Sequence, residues 1–435
     1  MITSYLSPLS RLLSPLSCLL LLLTACQSQQ QRDFVTVSDG HFMRGGKPYY
    51  YVGTNFWYGA ILGSEGQGGD RQRLCRELDA MKQVGIDNLR ILVGSDGERG
   101  VTTKVEPTLQ IAPGVYNDTI LAGLDYLLME MGKRQMVAVL YLNNSWEWSG
   151  GYGYYLEQAG CGKAPRPNEA GYEAFMNHVA QFAGNEKAHQ LFYDYVRFII
   201  GRTNRYTGQK YVDDPAIMAW QIGNEPRAFG REQLPAFERW ISESAALIRS
   251  LDKNHLISIG SEGAWGCEGD YDVWRRISAD ANVDYCNVHL WPYNWGWAQR
   301  DSLVANVPRA CQNSKAYIDR HLAICDSIRK PLVMEEFGYP RDGLSFAPDS
   351  PTTGRDAYYC YIFRLVGNNM RQGGAFAGCN FWGWGGYAQP HHVQWQVGDD
   401  YCCDPAQEEQ GLNSVFMTDS TTLDIISSFT KQLSK

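Results

Sequence analysis

Eight short apolar runs, each followed by an amphipathic stretch, constrain this chain more than any other feature of its sequence. They fall at 49–53, 88–93, 136–142, 216–222, 255–259, 285–289, 331–335 and 374–381. Each has the length and character of a buried strand. The segments between them carry helical periodicity. In residues 73–85, RLCRELDAMKQVG, the side chains Leu74, Leu78, Met81 and Val84 share one helix face, and Gly85 follows as a stop signal. Residues 236–253 repeat the pattern with Phe237, Trp240, Ile241, Ala245 and Ile248. Strands alternating with helices predict a parallel sheet covered by helices. Eight such units in one domain, residues 34–435, predict an α/β fold of the (β/α)₈ barrel type with long loops after the strands. A doubly wound open sheet is disfavoured, because Gly53-Thr54-Asn55 leads into aromatics and not into a glycine-rich phosphate turn.

In a barrel of this kind chemistry sits at the C-terminal strand ends. The first run ends at Asn55, Trp57 and Tyr58, and the second carries Arg90. The third runs into LNNSWEWSGG, which includes Asn143, and the fourth into Asn224-Glu225-Pro226. The sixth ends in HLWPYNWGW with His289 and Trp291, the seventh in Glu335-Glu336, and the eighth in Trp382 and Trp384. Two of these ends bear carboxylates on opposite sides of the predicted ring. A pair of carboxylates flanking one bond is what glycoside hydrolysis requires: one protonated to assist the leaving oxygen, one ionised to attack carbon or activate water. Adjacent strand residues face opposite ways, so only one of Glu335 and Glu336 can face the centre unless a bulge intervenes.

Composition narrows the partner. A formal charge of −8 argues against nucleic acid and against an anionic membrane surface, but would not repel a neutral ligand. Aromatic residues make up 13% of the chain, and Trp and Tyr suit sugars because each joins an apolar face to a polar handle. Trp291, Trp295, Trp297 and Trp384 fit loop packing and sugar stacking equally well. His391-His392 near Asp399-Asp400 lack metal-ligand spacing, so neither metal nor cofactor is expected. Residues 398–416 read as a long loop closing the barrel over the cleft.

Residues 1–26 read as targeting sequence: Arg11, an apolar stretch too short for a comfortable membrane span, and Leu23-Thr24-Ala25-Cys26, which resembles a bacterial lipobox. Cys26 would then be lipidated and residues 27–33 would be a polar tether. The expected location is the cell envelope, with lipid as the sole attachment to membrane, or secretion. Ten further cysteines, an even number without C-x-x-C spacing, are expected to pair in an oxidising compartment, with Cys402 and Cys403 bridging to different partners.

Taken in order, NFWYG, LNN, NEPR, HLWP and EEFG on the predicted strand ends resemble the motifs of glycoside hydrolase family 5, and the similarity spans nearly the whole chain after residue 40. LNNSWEWSGG and HLWPYNWGW are similar to its endo-β-1,4-mannanases. The resemblance implies a retaining hydrolase with Glu225 as acid/base and Glu336 as nucleophile. It also implies Arg90 beneath the nucleophile, Asn224 on the sugar 2-hydroxyl, Trp382 as stacking floor, His289 near the acid, and Trp57, Asn143 and Trp291 as further substrate contacts. Many members carry tyrosine where this chain has Trp291, so the nucleophile's hydroxyl partner is either altered or shifted to Tyr293. The implied substrate is mannan, glucomannan or galactomannan, cut internally by a monomer. A β-1,4-glucanase is the near alternative. A non-catalytic glycan-binding lipoprotein is the distant one, disfavoured because it would not need Glu225, Glu336, Asn224 and Arg90 together.

Overall fold

The structure is a computed structural model and describes residues 34–433; the signal, the Cys26 lipidation site and the tether lie outside them. Each of the eight apolar runs forms a strand: β1 (Tyr51–Asn55), β2 (Asn88–Leu92), β3 (Val137–Tyr141), β4 (Ile217–Gln221), β5 (Leu256–Ser258), β6 (Cys286–Leu290), β7 (Leu332–Phe337) and β8 (Phe376–Phe381). All are buried along their full length, as strands covered on both faces must be. They pair in parallel in the order β5-β4-β3-β2-β1-β8-β7-β6. The remaining seam is bridged by Asp284 N donating to Ile257 O (2.8 Å) and His289 N to Glu262 O (3.3 Å). The result is the expected barrel.

A principal helix follows each strand: α1 (Arg71–Gln83), α2 (Asp118–Lys133), α3 (Glu186–Ile200), α4 (Leu234–Leu251), α5 (Tyr271–Ser278), α6 (Leu303–Ile328), α7 (Thr353–Arg371) and α8 (Ser420–Leu433). The start of α1 is set by Asp70, whose carboxylate accepts from Arg73 N at 2.8 Å. Its end is set by Gly85, which takes φ +86°, while Ile86 N reaches back to Met81 O, as the sequence signal predicts.

Two apolar layers hold the barrel. Leu, Ile and aromatic side chains fill the space between sheet and helices. A smaller cluster inside the ring, including Val137, Val139, Met218 and Val333, is sealed from below by Phe42 of the hairpin Thr36–Ser38/His41–Arg44, whose ring packs against Tyr285. With one end plugged, ligands can reach the ring from the other, where the strands terminate. None of the described helices is long and apolar enough to cross a membrane.

The cysteine expectation is corrected. All ten cysteines among the described residues are free thiols. Cys286 and Cys325 are neighbours but unbridged, and the adjacent Cys402 and Cys403 face different groups: Cys402 Sγ lies 3.3 Å from Gln410 Oε1, whereas Cys403 Sγ lies 3.4 Å from Asn55 O. Cysteine number therefore gives no argument for export.

Candidate active site

At the open end a cleft of about 410 Å³ is lined by Glu225 and Glu336, by the indoles of Trp146, Trp148, Trp291, Trp295 and Trp382, and by Asn224, Arg227, Glu262 and Glu408. Its floor is built around Arg90, which points inward from β2 and is wholly buried. The guanidinium donates to Glu336 Oε1 (2.5 Å), Asn55 Oδ1 (3.2 Å), Asn224 Oδ1 (2.9 Å) and Gln221 Oε1 (2.8 Å). One cation thereby fixes groups from β1, β4 and β7. A bulge supplies the seventh strand's contribution: Val288 pairs with Met334 but His289 pairs with Glu336, leaving Glu335 as the extra residue. Strict alternation is broken, and both glutamates approach Arg90. Glu335 stays below the cleft, accepting from Gln221 Nε2 (2.6 Å) and Tyr285 OH (3.1 Å).

Glu225 sits just past the end of β4 in the left-handed region, φ +48°. Such a conformation in a non-glycine residue costs on the order of 1–3 kcal/mol and persists where neighbours over-determine it. Here Glu225 N donates to Gly260 O (3.0 Å), and Ser145 Oγ donates to Glu225 O (2.5 Å). Gly260 is required for that approach: its φ is +80°, and a Cβ would stand 1.9 Å from Gly223 O. The strained turn aims the carboxylate at two donors, Trp146 Nε1 on Oε2 (2.6 Å) and His289 Nδ1 against Oε1 (2.7 Å). His289 also faces Glu336 Oε2 at 3.4 Å.

The three groups titrate as a set. Burial would lower the His289 pKa, but the two carboxylates outweigh it and raise it. Burial would raise Glu225, yet the hydrogen bond and charge of His289, the Arg227 guanidinium and the Trp146 N–H bring it down to about 2. Burial raises Glu336 against the pull of His289 and Arg90. Glu225 and His289 thus bind a proton jointly across the Nδ1–Oε1 contact. Among the described residues Glu225, His289 and Glu336 offer potential metal-ligand atoms within 4.8 Å of one another. Arg90, Trp146 and His289 itself already occupy that space with N–H donors, which suits an organic substrate better than a cation.

Of the residues named from sequence, Arg90, Asn224, Glu225, His289, Glu336, Trp291 and Trp382 converge here. Trp57, Asn143 and Trp384 do not reach the cleft. Trp57 is buried behind Trp148, with its Nε1 donating to Cys403 O (2.7 Å), so it props the wall instead of meeting a ligand. Asn143 spends its backbone O on Asn224 N and its Oδ1 on Asn144 N; the neighbouring Asn144 accepts from Asn224 Nδ2 instead. Trp384 is likewise structural, fully buried and donating to Glu77 Oε2 (2.8 Å). Neither Trp291 nor Tyr293 hydrogen-bonds Glu336 among the described residues; Arg90 and His289 hold it. Glu262, bound by Arg227 at 2.5 and 2.7 Å, went unread although it follows the fifth apolar run. Trp146 lay inside the quoted LNNSWEWSGG. The loop 398–416 does border the cleft, through Pro405, Gln407 and Glu408.

Comparison with known proteins agrees with this geometry. A family described as "GH family 5 beta-mannosidase-like" matches residues 32–435. The chain belongs to glycoside hydrolase family 5. It is similar to a glycoside hydrolase family 5 mannosidase from Rhizomucor miehei, 32% identical with a TM-score of 0.85, over 93% of this chain and 98% of that one. A variant of that enzyme in complex with mannosyl-fructose gives 31% and 0.86 over 93% and 98%. A putative mannan endo-1,4-beta-mannosidase 9 from Oryza sativa subsp. japonica is 29% identical across 80% of this chain and 81% of its own. The family-5 enzyme is thus a mannanase-type glycoside hydrolase on a (β/α)₈ barrel.

Proposed function

We propose that this enzyme is a retaining endo-β-1,4-mannanase, hydrolysing internal bonds of mannan-type polysaccharides by double displacement. The observation that carries the reading is the placement of Glu225 and Glu336 across His289, with carboxylate oxygens within 4.8 Å. Retaining enzymes hold their two carboxyls about 5–5.5 Å apart, whereas inverting ones leave room for an intervening water. Glu336, held by Arg90, attacks the anomeric carbon as the glycosidic C–O bond breaks. Glu225 delivers to the leaving oxygen a proton received from His289 Nδ1. Water then attacks the glycosyl ester with Glu225 as base, and Glu336 departs as carboxylate. Asn224 is positioned by Arg90 and Asn144 to meet a hydroxyl beside the reacting carbon, and Trp382 and Trp291 supply apolar faces for the ring.

The mannan preference is supported by the mannosidase and mannanase relatives. A second reading, action from a chain end, is supported by Gln407 and Glu408 at the cleft, since a loop there can limit how far a polymer extends. Export with a lipid on Cys26 rests on the LTAC motif alone; partitioning of the expressed protein into detergent and mass analysis of its mature N-terminus test it.

The test of function incubates the purified protein with a soluble β-mannan and with a β-1,4-glucan, counting new reducing ends and following the first-formed anomer by NMR. Mannan cleavage with β-anomer released first is expected. Release from glucan only would overturn the substrate. An α-anomer formed first would overturn the double displacement.

A further inference from the structure

A second cleft of about 540 Å³ opens beside the catalytic one, between the loops that follow β5 and β6 and the outer face of α6. Its lining is unusual for a protein surface: Trp265, Trp297, Tyr271 and Tyr317, with Arg320 and Asn313 as polar members. Trp265 leaves 49% of its area in water. A lone exposed indole would mean little, but this one is contiguous with three further aromatic rings in one cleft, and a contiguous patch marks a contact surface. The cleft is not isolated. Trp295 lines the catalytic cleft, and its ring stands 5.8 Å from Trp265, 5.0 Å from Trp297 and 5.5 Å from Tyr317. The two clefts thus share one wall, made of a single indole with three aromatic neighbours.

The aromatic strip is also held in place. Tyr317 OH donates to Glu262 O at 2.8 Å and accepts from Trp265 N at 3.4 Å, tying the strip to the loop that carries the cleft residue Glu262. The Arg320 guanidinium lies 3.4 Å over the Tyr271 ring, and both line the cleft. Flat apolar faces edged by guanidinium and amide donors match a neutral sugar ring, which presents C–H faces and peripheral hydroxyls. They offer little to a peptide, which needs paired backbone groups, and a lone arginine is a weak site for an anion.

We propose that this cleft holds sugar units of the same polysaccharide chain, beyond the catalytic cleft and reached across Trp295. The inference rests on the mannan-hydrolase reading and extends it: the enzyme grips a stretch of polymer longer than the units around Glu225 and Glu336. Loss of one stacking platform should weaken polymer binding about threefold to tenfold.

The test uses the full chain with Glu336→Ala, migrating through native gels that contain a soluble β-mannan. The parent should be retarded. Adding Trp265→Ala should weaken retardation threefold to tenfold, and adding Arg320→Ala should weaken it less. In the otherwise native enzyme, Trp265→Ala should raise KM for polymer by the same factor while both kinetic constants on an aryl β-mannoside stay put. Retardation of the Trp265→Ala protein equal to the parent's would overturn the inference and leave the function standing. Equal loss on polymer and aryl glycoside would overturn it too, by making Trp265 a structural residue. A parent that mannan does not retard, with a native enzyme that does not cut mannan, would sink the functional reading itself and the inference with it.

Discussion

His289 Nδ1 lies 2.7 Å from Glu225 Oε1, close enough for one proton to belong to either residue. His289 and its neighbours bring Glu225 down to about 2, so in the proposed mechanism the proton donor is the Glu225–His289 pair. Because the carboxylates raise His289 above the ordinary imidazole range, the pair keeps its proton to a pH above about 6.5. The basic limb of the kcat/KM profile should therefore fall above that value. His289→Asn keeps an N–H donor for Glu225 but stores no proton. Turnover at neutral pH should drop by about 10²–10³ and the basic limb should move down into the carboxyl range. An unmoved limb would show that the imidazole is not the proton store.

Arg90 and Glu336 give the complementary prediction. The guanidinium favours the ionised carboxylate, so weakening it must raise the nucleophile's pKa and carry the acidic limb upward. Arg90→Lys keeps the charge but not the fork that reaches Glu336, Asn55, Asn224 and Gln221 at once. We expect kcat to fall about 10²-fold, the acidic limb to rise, and Tm to drop because buried acceptors lose donors at about 1–3 kcal/mol each. Loss of Tm with unchanged limbs would reduce Arg90 to a structural role.

How much of this was readable without coordinates follows from what each residue depends on. The barrel was legible because all eight strands are buried on both faces and so appear as predominantly apolar runs, interrupted mainly by the polar residues that face the ring. Glu225, Glu336 and His289 were legible because they stand at or beside strand ends, and Arg90 because it is a lone cation within a buried strand. The bulge at Glu335 was not: it is a register choice between β6 and β7, and no local signal distinguishes it from plain alternation. Trp57 and Trp148 show the same limit. Trp57 stands near a strand end yet turns to Cys403 O, far away in sequence, while Trp148 from the loop after β3 faces the cleft. Cysteine parity misled because an even count says nothing about distance.

Glu408 makes a third prediction. Its carboxyl lines the cleft, its Oε2 is buried without a hydrogen-bond partner among the described residues, and burial with the nearby Asp404, Glu336, Glu409 and Glu225 pushes its pKa well up. A neutral acid in that position can donate to a sugar hydroxyl. Glu408→Gln keeps a neutral donor and should change KM for mannan less than twofold, whereas Glu408→Ala should raise it about tenfold, the worth of one hydrogen bond. Equal KM values in Glu408→Ala and wild type would remove Glu408 from the binding surface.

Asp96 yields a prediction about stability. It lies under the turn that carries Trp146 and Trp148: its N donates to Ser149 O (2.8 Å), and its carboxylate receives Gly151 N (3.3 Å) and Gln110 Nε2 (3.1 Å). Burial outweighs these donors and pushes its pKa up to about 7. Between roughly pH 4 and 7 the folded chain holds a proton here that the unfolded chain has released, so this group's contribution to stability declines as pH rises through that window. Lys104, lowered to about 8 chiefly by burial, acts in the opposite sense, and only above that pH. Asp96→Asn removes the titration while keeping an acceptor for Gln110. Thermal unfolding from pH 4.5 to 8 should show Tm falling more steeply for the wild type than for the variant, with the variant gaining relative stability toward pH 8. Parallel Tm curves would mean that Asp96 stays ionised in the fold, and the turn beneath Trp146 would then owe its position to the backbone contacts alone.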